Sequence, residues 1–262
     1  MTMLKNYLLT ALRSLLKNGV YAFLNIVGLA VGIASFIFIA LFIGHETSYD
    51  NYHQHVDRLY RVAVSGKMIS SDMNMAVTPA PMGAAIKEDY PEVEKVVRLA
   101  SSGDWLCRYN DKVFNERHFL FADSTFFDLF SIHLLQGNPE TALKKPHSVV
   151  LTRSTAIKYF GQEDPIGKAI RVETDTVFYT VTGVMEDVPL NTHFQFDMLG
   201  SLNSLRRSRS EAWLSHNFYT YIRIAPDVDP MAFEEKIQGM IATYVGPQVQ
   251  EALGASLDDF LG

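Results

Sequence analysis

From Tyr21 to Ile43 runs YAFLNIVGLAVGIASFIFIALFI, a stretch without one charged side chain. The ~30 Å hydrocarbon core of a bilayer takes about 20 helical residues to cross. The stretch meets that length, and in lipid it must be a helix, because lipid gives backbone N–H and C=O groups no partners. Lys5, Arg13 and Lys17 precede it with no acidic residue among them, whereas His45, Glu46 and Asp50 follow. By the excess of basic residues on inner loops, the N-terminus is cytoplasmic and everything after Gly44 lies outside a plasma (inner) membrane. The run is longer than the apolar region of a cleaved secretion signal and follows an amphipathic segment rather than a short basic tip. It therefore reads as an anchor.

That preceding segment places Leu4, Tyr7, Leu8, Ala11, Leu12, Leu15 and Leu16 at helical spacing, with Lys5, Asn6, Thr10, Arg13, Ser14 and Lys17 opposite and Asn18-Gly19 as a stop. Residues 1–19 thus form an amphipathic helix on the inner membrane surface, held there by lipid alone or presenting Arg13 and Lys17 to a cytoplasmic partner. Within the span, taken as residues 20–44, Asn25, Gly28, Gly32 and Ser35 share one face. Either this reflects the general frequency of glycine in membrane helices, or it lets a second helix pack closely.

Roughly 220 residues follow, enough for a compact body with a real core. The chain carries a net charge of −6 and one cysteine, Cys107. The acidic balance argues against nucleic acid as a partner, and a lone cysteine leaves the body to rely on packing. Strands are expected at Leu59–Val64, Val93–Ala100, Lys112–Phe121, Ser148–Leu151 and Tyr219–Ile224, and a hairpin over Ala169–Glu186. Helices are expected at Pro79–Asp89, around Phe126 and Phe127, at Thr155–Phe160, and at Pro230–Tyr244 capped by Asp229. The first strand, helix and second strand make a β-α-β unit. The last strand and helix should likewise return to the sheet, but no further strand is evident before Gly262, which suggests a chain ending inside a fold.

The constellations that invite chemistry mostly fail. His45, His53 and His55 lie near Glu46, Asp50 and Asp57, yet no second ligand group has metal-site spacing. GQEDPIGK, Gly161 to Lys168, is one residue too long between its glycines for a phosphate loop, and Ala169 stands where Ser or Thr should hold magnesium, so it is a turn. Asp123, Asp128, Glu163, Asp164, Glu186 and Asp187 are scattered through turn-like segments and read as solvated surface. The basic loop LRRSRSE, Leu205 to Glu211, reads as a solvated linker rather than a binding patch. Catalytic, cofactor and metal residues are therefore expected to be absent, and the chain is not expected to be an enzyme.

The runs SYDNYHQHVDRLYRV, TPAPMGAAIKEDYPEVEKVVRL, FADSTFFDLFSIHLLQGNPETALKKPHSVVLTRSTAIKYFGQEDPIGKAI and YTVTGVMEDVPLNTHFQFD arrive in order across nearly the whole chain. Together they resemble the MacB-type periplasmic core domain of FtsX-like ABC transporter permeases. The resemblance implies an α+β extracytoplasmic domain behind one N-terminal transmembrane helix. Within residues 45–262, it implies a porter-like β-α-β part over 57–99 and 217–244 and a smaller mixed α/β insertion over 101–205. It further implies a permease subunit that dimerises and works with a separate cytoplasmic ABC ATPase. Its outer domain would move for export (efflux) or for mechanotransmission, with membrane lipid and a periplasmic protein as further partners. Such permeases carry several membrane helices and this chain one, so it is expected to be the N-terminal portion of a longer subunit. The rival expectation is a single-span anchored binding or sensor module.

Overall fold

The computed structural model describes residues 2–47, 55–68, 71–101, 103–172, 177–189, 192–254 and 256–257. It divides into two compact units, Met1–Tyr49 and Asp50–Gly262. In the first, helix α1 covers Thr2–Lys17 and helix α2 covers Gly19–Glu46, meeting at Asn18. The expected span lies inside α2, whose side chains are all unburied. Among the described residues α2 is the one helix long and apolar enough to cross a membrane. Thr47 closes it, its hydroxyl donating to the Ile43 carbonyl at 2.8 Å.

The second unit contains β1 (Leu59–Val62), β2 (Val64–Met68), β3 (Ser71–Met75), β4 (Thr78–Pro79), α3 (Met82–Asp89), β5 (Val93–Ser101), β6 (Trp105–Tyr109), β7 (Lys112–Glu116) and β8 (Phe119–Ala122). It continues through α4 (Phe126–Leu129), β9 (Leu134–Gly137), β10 (Ser148–Thr152), α5 (Arg153–Phe160), β11 (Ala169–Val172), β12 (Val177–Met185), β13 (Met198–Ser201), β14 (His216–Ile224), α6 (Pro230–Ile237) and α7 (Gly246–Leu253). One sheet of 12 strands follows the path β1-β14-β5-β8-β13-β10-β12-β11-β6-β7, with β4 on β14 and β9 on β12, while β2 and β3 form a separate hairpin. The β8–β13 and β10–β12 pairs are parallel. The other pairs are antiparallel.

The central strands are buried on both faces, which is why their sequences are continuous apolar runs instead of alternating ones. Along β8, Phe119 and Phe121 enter one core while Leu120 and Ala122 enter another. On the first face Trp105 packs edge-on against Phe119 at 5.4 Å, with Tyr179 and Tyr159 alongside. On the second, Phe126 and Phe130 from the FFDLF run lie 5.0 Å apart beside Phe196 and Tyr221. A third cluster, including Ile86, Ile222, Ile224 and Phe233, packs α3 and α6 on the β1 end of the sheet. Each fully buried large apolar side chain is worth about 1.5–3 kcal/mol.

Several expectations are revised. The β1-α3-β5 unit forms, but β14 lies between its two parallel strands, antiparallel to both. The expected strand Lys112–Phe121 is two strands far apart in the sheet, β7 at one edge and β8 in the middle. The expected strand Leu59–Val64 ends at Val62, and the chain turns into the β2–β3 hairpin. Helix Pro230–Tyr244 stops at Ile237 and resumes through a π-helical turn, Ile241–Val245, into α7. Asp229 caps α6 as expected, accepting from the Met231 and Ala232 N–H groups at 3.4 Å each. Among the described residues no strand follows β14. The sheet joins what the domain division separates, since β5 pairs with β8.

Candidate functional site

In the first, helical unit, Lys5, Arg13 and Lys17 are exposed on α1. The side chains of Leu4, Leu8, Ala11, Leu12, Ser14, Leu15 and Leu16 lie outside the described residues. On α2, Asn25, Gly28, Gly32 and Ser35 are exposed, and a Cβ built at either glycine meets nothing within 4 Å. The face is open to another helix at backbone distance.

The suggested histidine cluster is not assembled in what is seen. His53 and Asp50 lie outside the described residues, and among those described no group of ≥ 3 His, Cys, Asp or Glu could hold a metal. GQEDPIGK is a turn: the Asp164 carboxylate accepts from the Ile166 N–H at 3.0 Å, and Lys168 pairs with Glu163. That bond holds the Glu163 carboxyl below its ordinary range.

Glu186 is exposed, as the sequence reading has it, but Asp187, Asp128 and Asp123 are more than solvated surface, which corrects that reading for them. Asp187 caps α5, accepting from the Ser154 N–H at 2.9 Å and from its hydroxyl at 2.8 Å. Asp128 pairs with Lys95 at 2.9 Å. Asp123 takes three bonds of 2.9 Å from Arg98, through the backbone N–H, Nε and Nη2. Gly137 of LLQG sits at φ +99°, where a Cβ would fall 2.4 Å from the Thr182 carbonyl oxygen, a position only glycine fills.

A buried polar cluster escaped the sequence reading. Glu116 accepts from Tyr159 Oη at 2.5 Å and Lys158 Nζ at 2.7 Å. Cys107 lies beside it, and burial pushes its thiol up to about 12. Burial and the bond to Glu116 push the Tyr159 phenol up as well. A thiol held that far from ionisation is no nucleophile. The cluster instead pins α5 to the β6–β7 hairpin.

The basic loop keeps its three arginines exposed, as a solvated linker would, but its backbone is tied down. Arg206–Arg209 form a short 3-10 turn fixed from several sides. Arg98 Nη1 donates to the Ser208 carbonyl at 3.0 Å and to that of Ala80 at 2.7 Å. The Ser208 hydroxyl donates to the Leu205 carbonyl at 2.7 Å. Downstream, Gln248 of α7 accepts from the Trp213 N–H at 2.8 Å and donates to the Glu211 carbonyl at 2.9 Å. Instead of a free linker, the turn is a rigid wall of an open cavity of about 750 Å³ lined by Ala80, Arg206, Arg207, Arg209, Ser210, Ser215, Asn217 and Phe218. A smaller groove of about 320 Å³ lies between the outer edge of β1 and α6, with Tyr60, Val62, Met231 and Ile237 in its walls.

Known proteins share this architecture. A crystallised domain assigned to a permease protein of Porphyromonas gingivalis is 26% identical, superimposes with a TM-score of 0.67, and covers 73% of this chain and 83% of its own. The periplasmic region of MacB from Actinobacillus actinomycetemcomitans is 15% identical with a TM-score of 0.54, covering 72% of this chain and 85% of its own. Comparison with curated proteins returned no match. The family profile of the MacB-like periplasmic core domain matches residues 22–240, from within α2 to α6 and beyond it. With one apolar helix, a mixed α/β sheet and that match across most of its length, the chain belongs to the MacB-like periplasmic core domain family.

Proposed function

We propose that this chain is a membrane (permease) subunit of an ABC transporter. Its N-terminus is cytoplasmic and its sheet domain lies on the periplasmic side. The subunit dimerises and couples ATP hydrolysis by a separate cytoplasmic ATPase to movement of the outer domain, for export or mechanotransmission. The observation that carries this reading is the family match over residues 22–240, on a chain whose described residues include one helix long and apolar enough to cross a membrane. Arg13 and Lys17, exposed on α1, are the contacts through which the ATPase pushes, and Gly28 and Gly32 form the face on which α2 shifts against a neighbouring helix.

The test is purification of the full-length gene product from its native membranes. A nucleotide-binding ATPase is expected to come with it in stoichiometric amount. Charge reversal, Arg13→Glu with Lys17→Glu, should cut the co-purified ATPase about tenfold or more, since each lost ~1.4 kcal/mol of contact is a factor of ten. A product with no ATPase overturns the reading in favour of an anchored periplasmic binding or sensor module. Undiminished ATPase on the double variant overturns the assigned contact alone.

A further inference from the structure

We infer that the cavity walled by the Arg206–Arg209 turn is a binding site for a small, multiply charged anion bearing phosphate or carboxylate groups. Its volume of about 750 Å³ is that of a small-molecule site. Its lining holds three arginines and no carboxylate. Arg206 and Arg209 make no ion pair with any described residue, and Arg207 commits one N–H, to the Ser101 carbonyl at 2.9 Å. Three guanidinium groups within four residues repel one another, and the chain as a whole is acidic at −6, so general basicity does not explain them.

The hydroxyls point the same way. Ser210 Oγ already accepts from the Ala212 N–H at 3.2 Å, and Ser215 Oγ from the Asn217 amide at 2.8 Å. Each serine is thus left with its O–H donor to offer. A wall offering guanidinium and hydroxyl donors and no acidic acceptor suits an anion, and planar guanidinium forks match carboxylate and phosphate oxygens bidentately. The wall is also set in advance. Arg98, locked on Asp123, holds the Ala80 and Ser208 carbonyls, so the turn need not be ordered by the ligand.

The anion is either a soluble metabolite or a lipid headgroup. The test is calorimetric titration of the full chain in a neutral detergent. The probes are inorganic pyrophosphate and citrate for the soluble source, and dihexanoyl phosphatidic acid, below its micelle concentration, for the lipid source. Saturable single-site binding is expected with at least one probe, and the probe that binds names the source. Arg206→Gln with Arg209→Gln should weaken it at least about tenfold. The control, Lys95→Gln with Lys145→Gln, removes two charges elsewhere on the domain and should leave it unchanged. The tryptophan-fluorescence melting curve of each unliganded variant checks its folding. No saturable binding of any probe, or equal binding by the arginine variant, overturns the proposal. Either result leaves the permease reading untouched, because that rests on the family match over residues 22–240 and is tested separately by the co-purified ATPase.

Discussion

Replacing Asp123 by alanine tests whether Arg98 is the pin between β5 and the basic turn. The substitution removes three 2.9 Å bonds and leaves a guanidinium, its side chain only 17% exposed, facing two carbonyls without a counter-charge. Breaking a fully buried pair costs about 3–5 kcal/mol; with the Asp123 side chain itself 23% exposed, water softens the loss to about 2–3 kcal/mol. In a domain of this size that is a fall in Tm of roughly 4–12 °C. The readout is built in, because both tryptophans of the chain, Trp105 and Trp213, are buried in the sheet domain and shift their emission when it opens. Arg98→Met should destabilise comparably. The double variant should lose less than the two single losses added, since neither charge is then stranded. A Tm within about 2 °C of wild type for Asp123→Ala, or strict additivity in the double variant, refutes the pin.

Two further outcomes follow from single positions. Gly137→Ala places a methyl group 2.4 Å from the Thr182 carbonyl at φ +99° and should cost about 2–4 kcal/mol, read as a lower guanidinium midpoint at unchanged slope; an unchanged midpoint would show that β9 is not held as described. Burial holds the His216 imidazole below its ordinary value, so below about pH 6.5 the unfolded chain binds a proton that the folded domain refuses, and stability falls with pH. His216→Gln should flatten that slope in melting curves between pH 7 and pH 5, values bracketing the ordinary imidazole range; an undiminished slope assigns the acid sensitivity elsewhere.

What could be read from the residues alone was whatever depends on local pattern. The spanning helix, the Asp229 cap, the β11–β12 hairpin and the GQEDPIGK turn each carry their signal within a few positions. β13 was invisible for a physical reason. MLGS is short, buried on both faces and therefore not alternating, and Gly200 is there because a Cβ would sit 2.7 Å from the Phe121 ring. β9 is similarly short and owes its extended form to β12, distant in sequence, while β6 pairs with the adjacent β7 on one side and with β11 on the other. The cavity was illegible in a deeper sense. Arg206, Arg207 and Arg209 stand out as a basic loop, and a basic loop is ordinarily just solvated. What makes this one a wall is Arg98 on β5, Gln248 on α7 and the start of β14, none of which any local spacing links to it.

The placement of β14 has a consequence for how the domain is made. Leu59 of β1 pairs with Arg223 and Val62 with Thr220, so the strand that follows the membrane helix closes on one synthesised much later. With roughly 160 residues between them and a ribosome adding ~5–20 residues per second, β1 waits on the order of ten seconds or more before its partner exists. β5 waits too, because β14 pairs with it on the other side. During that interval the nascent domain presents two unsatisfied strand edges. Chains stalled before Ile224 should therefore be the ones that proteases and holding chaperones find, whereas completion of a single nine-residue strand seals both edges at once.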